Sequence, residues 1–255
     1  MKIAVLMKDV PDLVEELELT DEGRLAVEDM SFVPSEWDDQ ALEEALILKE
    51  STAGSSVTAI ALDTGDVDNM PFTALAKGAD RAVKLVGDLS RALSNQGRAA
   101  LLAAYCQTQG FDLVMTGVQA IDDIDGQIAG LVAGHLGAAH ASVVRDVALG
   151  SGQVTCIQEY SGGKMAELSL STPAVLGVQA AQKPPRYVTV SKIRQIQKSV
   201  TLEEVEVTLR AAPELMVRRL YPPVASSHAE MWGDDVDTVA DRIVNLLEEH
   251  KLLRS

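Results

Sequence analysis

The feature that most constrains this chain is a rhythm. Short apolar runs of strand length, at 3–7, 57–62, 82–86 and 113–116, alternate with helix-length periodic segments at 41–50, 71–77 and 91–107. A strand covered on both faces must be apolar throughout, and each of these runs is followed by a segment long enough to cross back over a sheet. The order predicts an α/β fold: a doubly wound, mainly parallel sheet with helices on both faces. With 255 residues, 47% of them apolar, the chain can bury one large core or two small ones, which excludes disorder and miniprotein scaffolds.

Local signals mark several boundaries. A helix is expected from Glu36, with Ser35 as N-cap, Asp38 at the third helical position, acids in the first turn and Lys49 near the end. A second follows Gly126 and Gly130 and stops at Gly137. Past Ala141 the pattern changes. Alternating runs at 154–160 and 164–170 flank Ser161-Gly162-Gly163 and predict a hairpin, and 174–179 reads as a further strand. Pro184-Pro185 then enforces an extended path. The stretches 199–213 and 221–233 have weak periodicity for their length, as an arm lying on another protein would. Near the end Val236, Val239, Ala240, Ile243, Val244 and Leu247 form one apolar stripe, preceded by Asp234 and Asp235 and followed by His250 and Lys251. The expected division is an α/β domain over 1–198 and a C-terminal arm and helix over 199–255.

Charge and motif spacing exclude several functions. The net charge is −16 and no block of Lys and Arg gathers on one segment, so neither nucleic acid nor an anionic membrane surface is an expected partner. The longest apolar stretch, 99–104, falls far short of the roughly 20 residues of a membrane span. Cys106 and Cys156 match no disulfide framework, and no charged-then-apolar leader precedes the first strand, so a reducing, cytoplasmic setting is expected. His135, His140, His228 and His250 lack metal spacing, and no serine sits in a GxSxG elbow. A calcium loop through Asp123, Asp125 and Gly126 would need Ile121 and Val132 as ligands, which they cannot be. Neither GxGxxG after Met7 nor GxxxxGK[ST] is present. No metal site and no catalytic residue is assigned.

The most informative segment runs from Thr116 through Gly117, Gln119, Ala120, Ile121, Asp122, Asp123 and Asp125 to Gly126 and Gln127, between a buried strand and a helix. In open α/β sheets ligands bind at this carboxyl edge, where glycines allow close approach and helix N-terminal amides can meet a phosphate. Such a phosphate would sit on the amides near Gly126 and Gln127, with the aspartates turned to caps, a ribose or solvent. A solvated loop whose aspartates merely cap the helix is the alternative. Trp37, at the same edge, either packs or stacks on a planar cofactor.

At these segments the sequence resembles the beta subunit of electron-transfer flavoproteins over nearly its whole length. The motifs are Ile3-Ala4-Val5-Leu6-Met7-Lys8 with Pro11-Asp12, then Trp37-Asp38 before Ala41-Leu42-Glu43-Glu44-Ala45-Leu46, and Ala74-Leu75-Ala76-Lys77-Gly78-Ala79-Asp80-Arg81. Gly117, Gln119-Ala120-Ile121-Asp122-Asp123 with Gln127, Pro185-Arg186-Tyr187 and the closing double proline with its helix complete the set. The resemblance implies a nucleotide-binding, Rossmann-like domain paired with an alpha subunit that carries a redox FAD. It implies electron transfer from acyl-CoA or other dehydrogenases to a quinone oxidoreductase or other acceptor, with no bond chemistry in this subunit. It also implies a structural AMP, at positions that here are Leu6, Met7, Lys8, Ser35, Asp63, Thr64, Asp122, Asp123, Gly126, Gln127 and Ile128. The family's aromatic near the flavin falls on Trp37.

Three departures bear on the ligand. Ser35-Glu36-Trp37 stands for the usual Asn-Pro-Phe, and Ile128 for a threonine whose hydroxyl would face the phosphate. Members that bifurcate electrons hold a second FAD in the AMP site and typically have glycine where this chain has Asp123, whose carboxylate would repel another phosphate. AMP is therefore expected, with the second FAD as the alternative. A stand-alone nucleotide enzyme or sensor is the competing class. The family's partner-docking loop matches Arg186 to Gln197, with Arg186, Tyr187, Val190, Lys192, Ile193 and Arg194 as candidate contacts, Val190 standing for the usual leucine. A basic, solvated connector is the other reading, and its charge could steer an acidic partner.

Overall fold

A computed structural model of the chain describes residues 1–255 apart from 29, 66, 90–92, 124, 209–216, 225–228, 234 and 254–255. Among the described residues, β1 (Lys2–Met7) leads into a two-stranded antiparallel ribbon of β2 (Asp9–Pro11) and β3 (Phe32–Pro34), then α1 (Glu36–Ser51). There follow β4 (Ser56–Leu62), α2 (Asn69–Lys77), β5 (Arg81–Val86), α3 (Asn95–Gln109), β6 (Leu113–Gly117) and α4 (Ile128–Leu136). The second half holds β7 (Ala139–Leu149), β8 (Gln153–Tyr160), β9 (Lys164–Ser171), β10 (Ala174–Val178), α5 (Val190–Ser199), β11 (Glu203–Glu206) and α6 (Val236–Glu249).

Nine strands form one sheet in the order β11-β5-β4-β1-β6-β10-β7-β8-β9. Neighbours from β11 to β7 are parallel, and β8 and β9 extend the far edge antiparallel. Successive side chains of a strand point to opposite faces, so each parallel strand feeds two cores. Ile3, Val5 and Met7 join Leu42 and Leu46 of α1 on one face. Ala4 and Leu6 join Leu102 of α3 and Val132 of α4 on the other. Burial on both faces is why the strands read as nearly continuous apolar runs, interrupted by Thr58 in β4 and Lys84 in β5. The architecture is the doubly wound α/β fold expected.

The hairpin forms with Tyr160 opposite Lys164, and its turn places Gly162 and Gly163 at φ of 76° and 72°, where side chains are disfavoured. Two elements differ from expectation. The stretch after Tyr187 coils into α5, because Thr189 caps it, accepting from the Lys192 N–H at 3.3 Å, and half-buried Ile193 and Ile196 give it an apolar edge as it packs on α2. β11 joins the sheet although three of its four residues are acidic. Its acids meet bases of β5: Arg81 takes Glu203 through Nε and Nη2 at 2.7 and 2.5 Å, and Lys84 lies 2.9 Å from Glu204. Charged edge strands of this sort also resist pairing with other chains.

Met1–Arg219 form one compact unit, which includes β11, and Leu220–Ser255 a second. Within the second, Asp235 caps α6 by accepting from the Thr238 N–H at 2.9 Å, and the Arg242 guanidinium lies 5.9 Å from the Trp232 ring centroid. Of the stripe on α6, Val236, Ile243 and Val244 are exposed. The expected helix start at Arg91, Asp234 ahead of α6, His228, Ile124 of the ligand loop and parts of both weakly periodic stretches lie outside the described residues.

Candidate functional site

The site follows from the strand order. β1 and β6 are neighbours, registered as far as Val5 opposite Met115, but the chain leaves them in opposite directions. From β1 it passes through α1 to β4 on one side, and from β6 through α4 toward β7 and β10 on the other. Such a switch point leaves a crevice beyond the carboxyl ends of the two strands. A pocket open to solvent occupies it.

Four segments build the walls. Leu6, Met7, Lys8 and Asp9 come from the end of β1 and beyond, and Leu62 and Thr64 from the end of β4. Thr116, Gly117, Gln119, Ala120, Asp123, Gly126, Gln127 and Ile128 come from β6, its loop and the first residue of α4. Asn95, Arg98 and Leu102 project from α3, and Asp38 from α1. Of the expected cofactor residues, Leu6, Met7, Lys8, Thr64, Gly117, Gln119, Ala120, Asp123, Gly126, Gln127 and Ile128 thus meet around one cavity. Ser35, Trp37, Asp63, Ile121 and Asp122 are not in its wall. Asp63 turns to Lys84 at 3.7 Å, and Trp37 is half-buried on the first turn of α1.

The aspartates of the loop are committed within the protein. Lys8 Nζ lies 2.6 Å from Asp122 and 3.4 Å from Asp123. Asp123 also accepts from the Ala120 N–H at 3.3 Å and from Asn95 Nδ2 at 3.1 Å. The same Asn95 amide donates to Asp125 at 3.0 Å, and Asp125 accepts from the Gln127 N–H. The loop is therefore fastened to the first turn of α3, and Asp123 shares Lys8 with Asp122. Gly126 has φ 61°, and a Cβ there would stand 3.0 Å from the Val118 carbonyl, so the turn into α4 requires glycine.

Asp38 was legible only as an acid in a first turn, yet it is the most constrained group of the site. Its carboxylate is buried and accepts from the Lys8 N–H and the Gly117 N–H, each at 2.8 Å, tying the diverging strand ends to α1. Burial pushes its pKa up to about 7 against the opposing pull of those two bonds and of Lys8. Ser35 holds the N-cap position but makes no side-chain cap bond, and its hydroxyl is buried without a protein partner. Asn95, Arg98 and Leu102 were missed because no motif marks α3; the cap of Ser94, which accepts from the Gly97 N–H at 3.2 Å, was the one available signal. Among the described residues no group of three or more His, Cys, Asp or Glu is placed to hold a metal ion. No helix among them is long and apolar enough to cross a membrane.

The candidate docking residues divide in two. Arg186 is spent on α1: its backbone N–H, Nε and Nη2 all donate to the buried Glu43 at 2.9–3.1 Å, and Nη1 reaches Glu50 at 2.6 Å. Tyr187, Val190, Lys192 and Arg194 are exposed, and Ile193 is half-buried.

Comparison with known proteins adds the following. Residues 25–210 match the electron transfer flavoprotein domain. The chain is 31% identical to the electron transfer flavoprotein subunit beta of Methylophilus methylotrophus, over 98% of this chain and 99% of that one. It is 33% identical to the mitochondrial subunit beta of Oryza sativa subsp. japonica, over 96% and 98%. With the subunit beta of Syntrophomonas wolfei it shares 31% identity over 97% and 96%.

Proposed function

Since the chain belongs to the electron transfer flavoprotein family as a beta subunit, we propose that it pairs with an alpha subunit and binds a structural AMP in the β1/β6 crevice. In this reading it helps to hold the alpha subunit's FAD while electrons pass from acyl-CoA or other dehydrogenases to a quinone oxidoreductase or other acceptor. FAD supplies the redox chemistry when bound, and this chain does no bond chemistry of its own. The observation that carries the AMP reading is the crevice, with its cations and its glycine turn. Lys8, between Asp122 and Asp123, and the buried Arg98, bonded to the Leu93 carbonyl, are the cations of its wall, while Leu6, Leu62, Leu102 and Ile128 offer an apolar wall to a base.

Docking of a dehydrogenase is assigned to the exposed face of Tyr187, Val190, Lys192 and Arg194, with Ile193 beneath and Arg186 anchoring the segment to α1. The arm and α6 are assigned to the alpha subunit, and the setting to the cytoplasm. A second reading, a bifurcating complex with FAD in this pocket, is favoured by one observation: Asp123 accepts from Asn95 and shares Lys8 with Asp122, so its repulsion of a diphosphate is weaker than a bare carboxylate's. Co-expression with the alpha subunit tests the function. A stable one-to-one complex whose flavin is reduced by a dehydrogenase is expected; absence of a complex, or turnover of ATP by this chain alone, would contradict it.

A further inference from the structure

Asp38 does more than cap a helix. Its two carboxylate oxygens are shared between the N–H groups of Lys8 and Gly117, residues that lie beyond or at the ends of neighbouring strands and both line the pocket. The residue before it is Trp37, and Gly117 presses so closely on this turn that a Cβ would stand 2.6 Å from Trp37 Cβ and 2.8 Å from the Asp38 nitrogen. Strand end and helix start are therefore in direct contact at the base of the Trp37 side chain. We infer that Asp38 is the positioning residue of the crevice, an ionised brace that sets the separation of β1 and β6 for a nucleotide and couples pocket occupancy to the Trp37 indole.

The chemistry of the brace is specific. An ionised carboxylate accepts strongly from two N–H groups at once, whereas a carboxylic acid offers one of them only its weaker hydroxyl oxygen and an amide turns an N–H donor toward it. Protonation should therefore loosen one strand end. The charged groups acting on Asp38 are Lys8, paired with Asp122 and Asp123, and Asp123 itself, with Asp9 and Arg98 also in the pocket wall; on its own helix Asp39 is held by Lys77. No histidine is among the pocket's lining residues. Burial brings the titration of Asp38 to about 7, where a brace can be switched without unfolding the protein.

The inference that the ligand is a nucleotide rests on the proposed function, so the test separates the two. The chain has two tryptophans, and the full chain carrying Trp232→Phe leaves Trp37 as its only indole. Its emission is followed against pH without ligand, and AMP affinity is measured calorimetrically at about pH 5.5 and 8.5, in this protein and with Asp38→Asn added. Asparagine mimics the protonated brace. Expected are an emission transition near neutral pH that the Asp38→Asn protein lacks, and an AMP affinity advantage of about tenfold over that variant at the higher pH that vanishes at the lower. Taking the ratio cancels the titration of the AMP phosphate. A flat emission profile in the protein with Asp38, or an affinity ratio independent of pH, would overturn the inference. The emission profile needs no variant at position 38, so misfolding of Asp38→Asn cannot shield the claim. An intact emission transition with no AMP binding at any pH would uphold the brace and overturn the nucleotide reading.

Discussion

Gly117→Ala probes the junction on which the site depends. The glycine's φ is not in the left-handed region, so alanine is allowed by the backbone, and the substitution by itself should stabilise through the unfolded chain by about 0.4–1 kcal/mol. Space decides otherwise. The new methyl would meet Trp37 Cβ at 2.6 Å, the Trp37 carbonyl carbon at 2.7 Å and the Asp38 nitrogen at 2.8 Å, and none of these is the free end of a flexible side chain. The first turn of α1 must retreat, straining the 2.8 Å bond from the Gly117 N–H to Asp38. Overpacking of this kind costs about 1–3 kcal/mol, leaving a net loss centred on roughly 1 kcal/mol. Urea unfolding should show a lower midpoint at unchanged slope, with weakened AMP binding. Gly134→Ala is the control: it lies in α4 with nothing within 4 Å of the added Cβ, and should gain up to about 1 kcal/mol from helix propensity. If Gly117→Ala were as stable as Gly134→Ala, the packing argument would be refuted.

Asp38 also leaves a mark on stability. Its folded-state pKa, about 7, lies above the ordinary 3.8, so the folded state binds a proton the unfolded state has lost, and this group's contribution falls as pH rises between those values. Asp38→Asn should therefore gain on the unsubstituted protein by about 1 kcal/mol per pH unit between about pH 5 and 6.5 and level off above neutrality; a constant difference would contradict the assignment. Glu43→Gln deprives Arg186 of its buried partner and should cost about 2 kcal/mol, less than a fully buried pair because the guanidinium is partly exposed; an unchanged urea midpoint would show the fork to be idle. Cys106 is buried and its thiol pushed up to about 12 by that burial, so maleimide should modify it in the native protein at neutral pH only as fast as the protein unfolds.

What was legible in the sequence was what repeats. Strands β1, β4, β5, β6 and β10 announced themselves because burial on both faces leaves few polar residues to break the run, and α4 because Gly137 supplies the left-handed C-cap. α5 was hidden by its own exposure: with Lys192, Arg194, Gln195, Gln197 and Lys198 around two half-buried isoleucines, it looks like a connector until α2 is beneath it. β11 was hidden by its acids, whose partners Arg81 and Lys84 lie more than a hundred residues away. The candidate site divides along the same line. Its loop was readable from glycines and aspartates close in sequence. The role of Asp38 depends on backbone groups 30 and 79 residues distant, which no local pattern encodes.

The most direct test of the central claim is the nucleotide content of the purified complex. The chain is co-expressed with its alpha subunit, the complex is denatured, and the released nucleotides are quantified by mass spectrometry. Equal amounts of FAD and AMP are expected, one of each per heterodimer. Two FAD per heterodimer would contradict the structural AMP and move this pocket to the bifurcating reading, and a complex holding FAD but no second nucleotide would leave the β1/β6 crevice without its proposed ligand.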